Sequence, residues 1–200
     1  MLFLSSIKKL LRLCVYMGEN MIKQVLHDIY VTNLLNIFVA IPVLLLVWSV
    51  IGATFYKYMR FVGTVMAVIV IGAILYITVS SRSERDVAAE LIPFSSFTRA
   101  KLQPEFYRTM LMNVFLFVPL GMPLPFMFGC GTGKRILFTV LVGFLLSLTV
   151  EATQYFACLG MAEADDVICN TVGAAVGSCS YLLSLLWRKL LFKTKGKEKV

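Results

Sequence analysis

The chain carries 11 acidic and 19 basic side chains, and all the acids except Glu151 fall in loops, tails or the ends of apolar runs. Glu151 stands inside an apolar run. A charged side chain at the bilayer centre costs about 2.5–3.5 kcal/mol on insertion scales, so it should face a bundle interior, where it either marks a functional site or only holds helices together. Helical spacing extends the pattern. Ser147, Glu151 and Gln154 fall at i, i+4 and i+7, on one helix face, and Gly143 continues that face one turn back. Further on, Asp166, Asn170, Gly173 and Gly177 also share a face, and Gly173 to Gly177 is a GxxxG spacing that lets a second helix approach closely.

The short connection from Ala157 to Asp165 makes these two helices an antiparallel hairpin. Their polar ends therefore meet. Asn113, with Arg108 just before it, opens a helix two crossings earlier and so lies on the same membrane side. Helix order alone predicts that Arg108, Asn113, Glu151, Gln154, Asp165, Asp166 and Asn170 converge near one membrane face as a binding cluster. Carboxylates there can hold cationic or hydroxyl groups, and the amides can hydrogen-bond. Glu151, Asp165 and Asp166 could also share Mg²⁺ with a substrate phosphate, with Arg108 clamping the phosphate. No cofactor is expected otherwise. There is no serine–lysine or cysteine–histidine pair, one histidine (His27), no CxxC and no zinc-ligand spacing. Gly129-Cys130-Gly131-Thr132-Gly133-Lys134 has no preceding strand and reads as a turn, not a phosphate loop.

The elements that carry these residues follow from composition. Hydrophobic residues make up 59% of 200 residues and charged residues 15%, against about 25% charged in soluble domains. Mean hydropathy is +0.84. These values exclude an ordinary soluble enzyme, a disordered chain and a disulfide scaffold. Five stretches approach the roughly 20 apolar residues that cross a bilayer: Asn33–Phe55, Phe61–Ser80, Thr109–Phe128, Ile136–Phe156 and Asp166–Trp187. The expected fold is all-α, a polytopic membrane helical bundle of about five transmembrane helices plus an N-terminal amphipathic helix. Residues 1–30 are expected to form that interfacial segment, 31–187 the transmembrane domain and 188–200 a basic, fraying tail. The segment Ser81–Arg108 holds Leu91-Ile92-Pro93-Phe94-Ser95-Ser96-Phe97, too short to span, and reads as a surface loop or a shallow re-entrant piece.

Net charge is +8. The bases lie between apolar runs and at the ends, so the expected partner is membrane lipid and not nucleic acid. Basic residues divide almost evenly between the two sides. The dense tail favours a cytoplasmic C-terminus, with the loop between the fourth and fifth helices outside.

Pro119, Pro123 and Pro125 around Gly121 imply a kinked or broken third helix, since proline removes a donor and clashes with the preceding turn. Pro119, Gly121, Gly173 and Gly177 are the expected helix-packing positions.

The order Leu91-Ile92-Pro93-Phe94, Asn113-x-x-x-Phe117-Val118-Pro119-Leu120-Gly121, Glu151-x-x-Gln154 and Asp165-Asp166-Val167-Ile168-x-Asn170-Thr171-Val172-Gly173-x-x-x-Gly177 resembles the VanZ-like family of teicoplanin-resistance-associated bacterial membrane proteins. The motif region covers about residues 91–180, and the resemblance as a whole roughly the last two-thirds of the chain. It implies a multi-pass protein of the bacterial cytoplasmic membrane. Many members carry an arginine several residues before the acidic pair; here the same stretch reads Leu159-Gly160-Met161-Ala162-Glu163. If that arginine binds an anion in relatives, this chain lacks the function or uses Arg108 or Arg82.

Three functions stay open. The first is a non-enzymatic resistance or cell-envelope protein that binds a lipoglycopeptide or a lipid-linked cell-wall component through the polar cluster. The second is a membrane-embedded enzyme acting on a lipid phosphate or polyprenyl-linked substrate. The third is a transporter subunit or helper. The missing nucleophile–base pair leans against an enzyme.

Overall fold

The computed structural model describes residues 34–80, 88–96, 99 and 105–195. The expected N-terminal amphipathic segment and Arg82 lie outside them. The chain divides by packing into two units, residues 1–39 and 40–200. Within the first, the described residues are the opening of one helix; the second holds everything that follows.

The elements are α1 (Leu34–Thr54), α2 (Met59–Leu75), a π-helical turn (Tyr76–Ser80), β1 (Ala88–Glu90), α3 (Glu105–Gly121), α4 (Leu124–Met127), α5 (Thr132–Phe156), β2 (Met161–Glu163) and α6 (Ala164–Lys195). Among the described residues, four stretches are long and apolar enough to cross a membrane: Met59–Val79, Tyr107–Met127, Thr132–Phe156 and Ala164–Leu190. The apolar part of α1, Val39–Thr54, is shorter. The fold is thus an all-α membrane helical bundle. Three boundaries differ from expectation by four residues or more; α3 begins at Glu105 instead of Thr109. Helix α5 begins at Thr132 instead of Ile136, and α6 continues through the expected tail to Lys195.

The helices turn small residues inward and large ones outward. On α2, Met59, Gly63 and Ala67 are buried at i, i+4 and i+8, while Phe61, Val65, Val68 and Ile69 are exposed. On α5, Thr139, Gly143, Ser147, Val150 and Gln154 face inward, and Leu137, Leu141, Leu145 and Leu148 outward. This arrangement suits hydrocarbon. Lipid is as apolar as leucine, so helices gain most where small residues let backbones approach.

The tightest approach is the seam between α3 and α6. A β-carbon at Gly173 would sit 2.2 Å from the Val114 carbonyl oxygen, one at Gly177 2.2 Å from that of Val118, and one at Gly121 2.0 Å from that of Ala174. Residue numbers rise together along both partners, so the two helices run parallel. Helix α5 lies antiparallel to both and closes on α6 where a β-carbon at Gly143 would meet Ala174 Cβ at 2.5 Å. Phe117, Leu120, Leu124, Val150, Ala67 and Ile74 fill the core beside this seam.

The three prolines break the third span. α3 ends at Gly121, and α4 starts after Pro123. The carbonyls released there find donors. Trp48 Nε1 donates to Met122 O at 3.1 Å, and Arg135 Nη1 to Pro125 O at 3.1 Å. Arg135 Nε also donates to Cys130 O at 2.6 Å, which ties the glycine-rich turn to the start of α5. A second aromatic cluster sits beside this break, where Phe126 meets Tyr181 edge to face at 5.0 Å.

The charged second loop holds an element that hydropathy did not predict. Ala88–Glu90 pairs in parallel with Met161–Glu163, so Glu90 stands opposite Glu163. The two loops at this end of the bundle are therefore stitched together.

Candidate polar site at one end of the bundle

Four helix ends meet here: the last turns of α2 and α5 and the first turns of α3 and α6. These ends, together with β1, β2 and the turn after β1, carry the polar residues.

Asp165 opens α6 and is 1% exposed. A carboxylate in the first turn is favoured by the partial positive charge of the helix N-terminus. It turns away from the helix, accepting the backbone N–H of Phe94 at 2.5 Å and that of Ser96 at 2.7 Å. Phe94 adopts φ 65, a left-handed conformation uncommon for a residue with a side chain. That kink presents both amides to one carboxylate. Ser96 Oγ in turn donates to Glu163 Oε2 at 3.0 Å.

Arg99 joins the two strands. Its Nη2 lies 3.5 Å from Glu163 Oε2 and 4.0 Å from Glu90 Oε2. Arg99, which the sequence does not single out, thus sits between the acids of the two strands. Ser96, Glu90 and Glu163 were missed as well. A faint signal was present: Ala88-Ala89-Glu90 and Met161-Ala162-Glu163 are near-identical triplets.

Glu151 is 6% exposed and accepts the Glu163 backbone N–H at 3.1 Å. Gln154, 1% exposed, donates from Nε2 to Thr78 O at 3.0 Å. Thr78 lies in the π-helical turn that ends this span, and its carbonyl is among the last of the helix, which have no donor within it. Asn170 Nδ2 donates to Ser147 Oγ at 2.8 Å across α5 and α6. Asn170 Oδ1 and Asn113 Nδ2 are buried and have no hydrogen-bond partner among the described residues. Carried two turns back from Gly173 and Val114, the seam's register sets Asp166 level with the turn of Tyr107 and Arg108.

The seven expected residues thus share one end of the bundle but not one shell. Glu151 and Asp165 are bound into the network of β1, β2 and the turn after β1. Gln154 and Asn170 brace helix pairs. Arg108, Asn113 and Asp166 lie along the opening of the α3–α6 seam. Among the described residues, no three His, Cys, Asp or Glu side chains gather in a metal-binding arrangement.

Beside the network lies a groove of about 580 Å³. Phe144, Leu148, Ala152 and Tyr155 of α5 form one wall, and Val167 and Ile168 of α6 another. Ala89, Leu91 and Pro93 flank it, and Glu151 and Glu163 line it among these apolar groups. The volume falls within the roughly 300–1,000 Å³ of small-molecule sites. A second depression, about 630 Å³, is lined by α5 and the residue after it, with no acid, and reads as lipid-facing surface.

Comparison with known proteins agrees with this architecture. The family model described as VanZ/LLP1 matches residues 61–188, which runs from the first turn of α2 well into α6 and takes in every polar residue above. Protein VanZ of Enterococcus faecium is 39% identical over 80 residues, covering 39% of this chain and 47% of that relative. The chain therefore matches about half the length of the curated relative. No solved structure matches. With the match spanning most of the chain and the bundle, the protein belongs to the VanZ/LLP1 family.

Proposed function

We propose that this chain is a multi-pass protein of the bacterial cytoplasmic membrane that protects the cell envelope against lipoglycopeptides of the teicoplanin type. It does so without catalysis, by binding the antibiotic or a lipid-linked cell-wall component at the outer face and lowering antibiotic access. The observation that carries this reading is the groove of about 580 Å³ whose apolar walls hold Glu151 and Glu163. Such a groove suits an amphiphile, with a chain against Leu148 and Ile168 and a polar head at the carboxylates. Kinship with Protein VanZ of Enterococcus faecium supports the resistance role.

The test is antibiotic susceptibility in a sensitive Gram-positive host. Wild type, Glu151→Ala and Glu163→Ala are expressed at equal membrane abundance, and teicoplanin is compared with vancomycin. Wild type should protect selectively against teicoplanin, and both variants should lose that protection. No protection by well-expressed wild type overturns the resistance role and turns attention to lipid-phosphate substrates. Nanodisc-embedded protein that shows no saturable lipoglycopeptide or cell-wall-lipid binding overturns the binding role.

A further inference from the structure

We infer that the ligand of the groove is a membrane amphiphile with a protonated amine in its head, and that Glu163 is the counter-ion of that amine. The inference rests on the groove being the binding site and is finer than that reading, because it fixes the chemistry of the head.

Three observations carry it. The first is the opening. Leu91, Ile92 and Phe94 are 73%, 68% and 59% exposed at the turn beside the groove. The same turn is pinned from behind by Asp165, so these apolar side chains are held outward. Large apolar groups exposed on a bundle of membrane-spanning helices meet hydrocarbon. The groove is therefore entered sideways, by a molecule already in the bilayer.

The second is charge complementarity. Among the described residues at this end, Glu90, Glu151, Glu163, Asp165 and Asp166 face Arg99 and Arg108. The acids exceed the bases, and the two that line the groove, Glu151 and Glu163, are both carboxylates. An anionic head entering here meets like charge in a medium of low dielectric. A cationic head relieves it.

The third is vacancy at one atom. Glu163 Oε2 receives Ser96 Oγ and Arg99, whereas Oε1 has no partner among the described residues. Its side chain is 22% exposed. A carboxylate held by one oxygen, with the other directed to no protein donor, is placed to accept from a ligand ammonium. Such charge-assisted hydrogen bonds are about twice as strong as neutral ones.

The experiment uses the full chain in phosphatidylcholine nanodiscs and three photoreactive probes with the same diazirine-bearing twelve-carbon chain: an amine, an alcohol and a phosphate. Labelled residues are mapped by mass spectrometry. The amine should label α5 and α6 around Leu148, Ala152 and Ile168, and excess unlabelled dodecylamine should compete. Glu163→Gln should weaken amine labelling about tenfold, the loss of one hydrogen bond to a charged group, and leave alcohol labelling unchanged. Ala152→Trp, which fills the groove, should abolish both. Thermal unfolding checks that each variant is folded.

Equal labelling by all three probes, or preference for the phosphate, overturns the amine assignment and leaves the groove as a chain-binding site. No groove labelling by any probe overturns both. Unchanged amine labelling in folded Glu163→Gln overturns the role of Glu163.

Discussion

Glu90 and Glu163 face each other in register across a parallel strand pair, and one guanidinium, Arg99, lies within 4.0 Å of both. Like charges on adjacent strands repel. The pairing of the two loops therefore depends on a cation that lies outside both strands. Arg99→Ala should lower stability by about 1 kcal/mol, a modest figure because these groups are partly exposed and screened. Adding Glu90→Gln should restore part of it. Thermal unfolding of the two single variants and the double variant measures the coupling.

Asp165 should matter more. It is buried and holds two backbone amides of another segment. Replacing it with Ala leaves both donors without their partner, at about 1–3 kcal/mol each. The expected result is a loss of several kcal/mol, with amide exchange at Phe94 and Ser96 accelerated well beyond that of the core helices. Asp165→Asn, which keeps one acceptor oxygen, should fall between Ala and wild type.

The α3–α6 seam gives the sharpest contrast. Gly173→Ala and Gly177→Ala each put a β-carbon about 2.2 Å from a backbone carbonyl, which side-chain motion cannot relieve. Each should cost about 3 kcal/mol or more and lower the unfolding temperature markedly. Gly133→Ala and Gly72→Ala meet nothing within 4 Å and should be neutral or slightly stabilising.

Gln154→Leu removes the donor to Thr78 O. The buried carbonyl is left unsatisfied, at about 1–3 kcal/mol. Gln154→Glu should be worse, because it sets a second acceptor against that carbonyl. Unfolding in detergent ranks the two variants.

The helices were legible because hydrocarbon imposes one requirement throughout: about 20 apolar residues with every backbone group satisfied internally. The α5–α6 hairpin and the side shared by Asn113 followed from chain order. The broken third span followed from Pro119, Pro123 and Pro125. The strands did not, because three residues carry no period, and their pairing depends on a long-range partner. Arg99 went unnoticed for the same reason. Nothing local distinguishes it from Arg108, and only the fold of the turn around Phe94 brings it to Glu163. The π-helical turn is invisible in an apolar run that reads equally well as α.

The glycine seam also divides the bundle by how its parts can respond. Where α3 meets α6, main chain touches main chain, so no rotamer change can absorb a shift. The groove, by contrast, is walled by Phe144, Leu148 and Tyr155 of α5 and Leu91 of the turn, side chains that can change rotamer. Any adjustment to a guest of different girth therefore falls on the side chains that line the groove, while α3 and α6 serve as the fixed jaw of a vise.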